Sequence, residues 1–247
     1  MKRTFSIILF AGCVFFLLVA FAQEVPKRFL FNKENALDEW QEKIFSGKVS
    51  YKVLPKSEKG ELSAQSNSTA SGLIYRIEFD ANVNPYISWK WKVSKFPSSK
   101  LQGVTPGQWI ENDDYAARIY VIFPSWIFTG TECIEYIWSD DLPKGLVLTN
   151  PYFNRIKLIV VESGKENQDK WAYAERNIAE DYKMLFGRYP SRGVGAIALM
   201  TDSDNTKSSA LTYYSDIYVG YKMPQTLKPF QGKEKRGLWE SLKNIFH

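Results

Sequence analysis

Residues 87–93 constrain the fold most tightly. Ile87, Trp89, Trp91 and Val93 alternate with Ser88, Lys90 and Lys92. Successive side chains of an extended chain point to opposite faces, so this is a strand with one apolar and one polar face. Set among Ile and Val at strict strand spacing, the two Trp read as core; the alternative is a sugar-stacking platform. Lys90 and Lys92 then face outward.

A second run, residues 113–123, is apolar on nearly all sides. Tyr115, Ala117, Ile119, Val121 and Phe123 share one face, and Ala116, Arg118, Tyr120 and Ile122 the other. A strand covered on both sides belongs in the middle of a sheet. Arg118 is the exception. A buried guanidinium needs a carboxylate partner or an opening to water, and Asp113 and Asp114 stand where the strand leaves its loop. Two readings follow: a structural ion pair, or a binding cleft lined by Arg118 and the acids.

The rest of the chain supports an all-β protein. Aromatic residues make up 15% of it, and turn residues separate short apolar runs. Strands are expected at 29–31, 49–54, 73–79, 133–138, 155–162, 194–201 and 213–221, with residues 37–40 a turn or helical step. Strand content over 61–70 is left open. Trp171, Ala174, Ile178, Tyr182 and Leu185 recur at helical spacing. That predicts one packed helix over about 169–186, with Asp169 as N-cap and Gly187 as stop. Two loops carry candidate stacking aromatics, Trp109 in 95–112 and Trp126 in 124–130.

The ends read differently. Lys2 and Arg3 precede an apolar run over 4–21, which closes on Ala20-Phe21-Ala22. This is the pattern of a secretory signal peptide cut after Ala22, with an exported periplasmic or extracellular protein as product. Phe10-Ala11-Gly12-Cys13 is only a faint lipoprotein box, because the apolar run continues past it. Cleavage lowers the formal charge from +5 to +3, which does not point to nucleic acid. It also leaves Cys133 as the only cysteine, so no intramolecular disulfide forms. After residue 222 comes a Pro- and Lys-rich linker. Leu238, Trp239, Leu242, Ile245 and Phe246 then fit one face of a short amphipathic helix, suited to a protein partner or to a peripheral membrane surface through 237–247.

Counting excludes several chemistries. His247 is the only histidine, so there is no Ser-His-Asp or Cys-His system and no histidine-ligated metal. No glycine-rich phosphate loop is present. Asp202-Ser203-Asp204-Asn205-Thr206 resembles the opening of an EF-hand loop, but Lys207 stands in the glycine position and Tyr213 in that of the closing glutamate. The two readings of that stretch are a looser structural calcium site and a polar turn held by Asp-to-backbone hydrogen bonds; no other cofactor is expected.

The 87–93 strand, the Asp113-Asp114-Tyr115-Ala116-Ala117-Arg118 run, Tyr136-Ile137-Trp138, Arg176-Asn177, Asp181-Tyr182, the 202–206 run and Tyr214-Ser215-Asp216-Ile217 together resemble the bacterial exported domain of unknown function family 3047, over about residues 29–222. The resemblance implies no activity. The Trp-Lys-Trp and Tyr-Ser-Asp-Ile strands are also similar to jelly-roll carbohydrate-binding domains, a likeness of fold alone. The expectation is a jelly-roll-like antiparallel β-sandwich over 23–222, after a leader (1–22) and before a tail (223–247). It works as a non-catalytic envelope module that binds glycan or another polar polymer through Asp113, Asp114, Arg118, Trp109, Trp126, Asp202, Asp204 and Asp216. The alternatives are a carboxylate-based glycan hydrolase or lyase, and an assembly protein acting through the C-terminal helix.

Overall fold

The computed structural model describes residues 25–55, 58–98, 113–126 and 130–222. The expected leader, Trp109 and the expected C-terminal helix fall outside the described residues. Thirteen strands follow in order: β1 (Lys27–Phe29), β2 (Trp40–Ser46), β3 (Ser50–Leu54), β4 (Glu61–Asn67), β5 (Ala70–Phe79), β6 (Tyr86–Lys95), β7 (Ala117–Phe123), β8 (Glu132–Ser139), β9 (Val147–Thr149), β10 (Ile156–Ser163), β11 (Ala172–Asn177), then β12 (Val194–Asp202) and β13 (Ser209–Gly220) after a helix. That helix, α1, is Ile178–Phe186. It is not long enough to cross a membrane, and no helix among the described residues is.

The strands form two sheets. One runs β11-β6-β13-β4-β3, with β1 also on β13; the other runs β2-β5-β12-β7-β8-β10-β9. Taken alone, β4, β5, β6, β7, β8, β11, β12 and β13 make the orders 4-13-6-11 and 5-12-7-8. The chain changes sheet at almost every step between them, which is the jelly-roll arrangement. β7 lies fourth of the seven strands, in the middle of its sheet as its two-sided burial requires.

The inward faces pack together. Ile87, Trp89, Trp91 and Val93 of β6 are fully buried. Trp89 packs on Tyr136 and Trp91 on Trp138, with ring centroids 5.2 and 5.9 Å apart. Both indoles of β6 are therefore core, and aromatics of this size supply much of the burial energy. Cys133 is buried and free, and burial pushes its thiol pKa up.

Three expectations need correction. Residues 172–177 form a strand, not the first turns of a helix, and α1 begins only at Ile178. Ala172 and Ala174 stand opposite Trp91 and Trp89 on β6, so pairing with an otherwise bare strand edge overrides the helical spacing. The N-cap is Asn177, whose Oδ1 accepts the Glu180 N–H at 3.1 Å. Asp169 instead lies in a left-handed turn (φ 62°), and Gly187 caps the C-terminus in the left-handed region as expected. Second, the sandwich is not wholly antiparallel, because β10 runs parallel to β8. The long connection between them, which carries β9, makes that crossing feasible. Third, β2 was not foreseen. It is an edge strand on β5, and five of its seven residues are exposed, so it carries no apolar alternation.

Candidate functional site

Alternation along β7 sends Arg118 to the face turned away from the other sheet. β8 and β12 flank β7, so Glu135 and Asp202 reach the same face from neighbouring strands. Arg118 Nε donates to Asp202 Oδ1 at 2.9 Å and its NH2 to Asp202 Oδ2 at 2.5 Å. Its NH1 donates to Glu135 Oε1 at 2.7 Å. The guanidinium also donates to the Asp113 carbonyl and lies 3.5 Å from an Asp113 carboxylate oxygen. Tyr115 stacks on it, 4.7 Å from ring centroid to guanidinium carbon. Three acids thus share one cation. Burial pushes Glu135 up to about 7, against the pull of Arg118, and burial raises Asp113 likewise.

Asp114 turns the other way and fixes the next loop. Its carboxylate accepts the Asn205 N–H at 3.1 Å and the Thr206 N–H at 2.6 Å. The 202–206 stretch is therefore a turn held by Asp-to-backbone bonds. One carboxylate oxygen from each of Asp114, Asp202 and Asp204 lies within 4.8 Å of the others, and among the described residues these three could hold a cation. Both oxygens of Asp202 and both of Asp114 already accept protein hydrogen bonds.

The sequence-predicted residues thus divide. Asp113, Asp114, Arg118, Asp202 and Asp204 come together. Arg118, Asp114 and Asp202 are nonetheless buried, so this group is an internal ion-pair network and not an open cleft. Asp216 belongs to the other sheet. Trp126, fully exposed, follows the far end of β7 from Asp113. Neither joins the Arg118 group, because the register of β13 and the direction of β7 carry them elsewhere.

What the sequence reading missed is the open face of the six-stranded sheet. β11, β6, β13, β4 and β3 lie side by side there. Lys92 is opposite Tyr213, Tyr213 opposite Ser63 and Ser63 opposite Lys52. Trp171, just before β11, extends this row: the Lys92 ammonium sits 4.9 Å from the Trp171 ring centroid and 4.4 Å from that of Tyr213. Lys92 also pairs with Glu61 at 3.9 Å. One row along, Tyr173 is opposite Lys90 and Lys90 opposite Ser215. Trp171 is exposed, and Lys90, Lys92, Tyr173 and Tyr213 are half-buried. The outward direction of Lys90 and Lys92 was readable in the alternation of β6. Trp171 was hidden by its assignment to a helix.

No curated protein matches the sequence. Among solved structures, the chain is similar to the xyloglucanase domain of NopAA from Sinorhizobium fredii, at 9% identity and TM-score 0.43, covering 74% of this chain and 93% of that one. It is similar to the CBM22-1 xylan-binding domain of Paenibacillus barcinonensis Xyn10C, at 12% identity and TM-score 0.37, covering 80% and 95%. It is also similar to the enzymatically active domain of tailspike protein 4 of bacteriophage CBA120, at 9% identity and TM-score 0.39, covering 78% of this chain but only 20% of that one. The family described as Protein of unknown function (DUF3047) matches over residues 38–218, which takes in the Arg118 network and the Trp171 row alike, and the chain belongs to that family.

Proposed function

We propose that this protein is an exported, non-catalytic module of the cell envelope that binds a glycan on the open face of its six-stranded sheet. The observation that carries the reading is the Trp171–Lys92–Tyr213 row. Flat aromatic side chains stack on the apolar faces of sugar rings, and the Lys, Ser and Glu groups between them hydrogen-bond hydroxyls. A row in register across four strands, extended by Trp171, suits an extended polymer better than a small compact ligand. Burial of the Arg118 acids disfavours the glycosidase alternative, since two working carboxylates must flank a substrate.

The test is retention on immobilised peptidoglycan, lipopolysaccharide and a panel of polysaccharides, followed by Trp171→Ala and Tyr213→Ala. Wild-type protein is retained on at least one polymer, and each substitution weakens binding by about ten-fold or more, a typical loss for a stacking aromatic. Both variants keep the wild-type melting temperature within a few degrees, because neither ring is in the core. Retention on nothing, or retention indifferent to both rings, would sink the proposal.

A further inference from the structure

A cationic corner adjoins the aromatic row. At the β13 bulge, Asp216 adopts φ 54°, a left-handed conformation that Asp tolerates better than most residues. Its carboxylate takes Arg28 Nε at 3.0 Å and Lys59 Nζ at 2.5 Å. β1 delivers Arg28, and Lys59 stands two residues before β4. On β6, Lys90 stands opposite Ser215, the neighbour of Asp216, and feels the charges of this group. Among the described residues the Lys90 ammonium makes no hydrogen bond or ion pair, while its backbone pairs with β11 and β13. Burial, together with the Lys59 and Arg28 charges, lowers its pKa, and Asp216 opposes this. Arg28, Lys59 and Lys90 thus stand around Asp216, and with Glu175, which accepts from the Tyr173 hydroxyl at 3.0 Å, the local formal charge is +1. One further anion there, set against Lys90, would balance the remaining charge.

We propose that this corner seats the carboxylate of an acidic sugar, so that the polymer on the open face is a polyuronate. The proposal rests on that face being the glycan surface. Lys90 is the residue that reads the charge. Its ammonium is a compact point charge with free donors, matched to a monoanionic carboxylate. The one guanidinium nearby, which would suit a bidentate phosphate, is already turned to Asp216. Tyr173, opposite Lys90, supplies a ring beside the carboxylate-bearing sugar.

The experiment is calorimetric titration of the purified chain with polygalacturonate, its fully methyl-esterified form and dextran sulfate, each at low and at high salt. Polygalacturonate binds about ten-fold tighter than the ester at low salt, and the gap narrows as salt rises. Lys90→Gln brings the two polymers to equal affinity, while Trp171→Ala weakens both. Equal wild-type affinity for acid and ester, or a preference that survives Lys90→Gln, overturns the acidic-ligand proposal and leaves the sheet-face reading standing. Dextran sulfate bound as tightly, with the same dependence on Lys90, shows a general polyanion surface and overturns the carboxylate assignment. Binding of none of the three overturns the acidic-ligand proposal and leaves the sheet-face reading standing; binding unaffected by Trp171→Ala overturns both.

Discussion

Glu135→Gln tests the Arg118 network most directly. Glu135 is almost fully buried, and one of its oxygens lies 2.7 Å from Arg118 NH1. Asp202 already holds the same guanidinium through two contacts, and Asp113 approaches it from the loop. One positive charge cannot compensate three carboxylates in a dry site, so the folded state keeps a proton on Glu135 up to about pH 7. In the unfolded chain the same group releases its proton near 4.5, the ordinary value for a glutamate. The folded pKa is the higher of the two. Its stabilising effect is therefore fully present below about pH 4.5 and is lost as pH rises through about 7. At 1.36 kcal/mol per unit, the loss between pH 4 and pH 8 comes to about 3 kcal/mol. Glutamine mimics the protonated carboxyl and can still accept the Arg118 N–H, so Glu135→Gln should match wild type near pH 5 and exceed it near pH 8. The assay is urea unfolding of both proteins across that range. Their difference isolates Glu135 from the surface carboxylates, whose pH dependence is common to both. A difference that stays flat with pH, or a variant already destabilised by several kcal/mol at pH 5, would refute the reasoning.

Two further outcomes follow from the same group. Asp202→Asn replaces an acceptor of Arg118 with an amide that must present a donor to one of the guanidinium nitrogens, and it leaves a buried charge poorly matched. We expect a loss of about 3–5 kcal/mol, seen as a fall of about 10 °C in melting temperature. A fall under about 2 °C would show that water or another acid compensates Arg118. Millimolar calcium or excess chelator should leave the melting temperature unchanged, since Asp114 and Asp202 already accept backbone and guanidinium donors. A rise of several degrees with calcium would instead establish a cation bound to Asp114, Asp202 and Asp204.

Strong alternation made the middle of the molecule legible. The 87–93 run is a strand with both Trp in the core, and β7 is the mid-sheet strand its two apolar faces demand. Local pattern failed where pairing decides. Ala172, Ala174 and Arg176 fit a strand about as well as Trp171, Ala174 and Ile178 fit a helix, and only the bare edge of β6 breaks the tie. The need of Arg118 for an acid was readable, but its partners were not. Asp202 lies 84 residues away in the chain, and it arrives because β12 pairs with β7 in one register. Likewise Asp216 meets Lys59 across 157 residues. The aromatic row is a product of register too: Trp171, Lys92 and Tyr213 share no local motif.

The last two strands each occupy an interior slot. β12 lies between β5 and β7, and β13 between β6 and β4. Until residues 194–220 are in place, each layer is split down the middle, and earlier segments lack the neighbours that would lock them together. Assembly is thus postponed to the end of the chain, which favours a slow, all-or-none folding step over stepwise accumulation of stable parts. A nascent polypeptide of this kind would stay pliant until residues 194–220 had emerged.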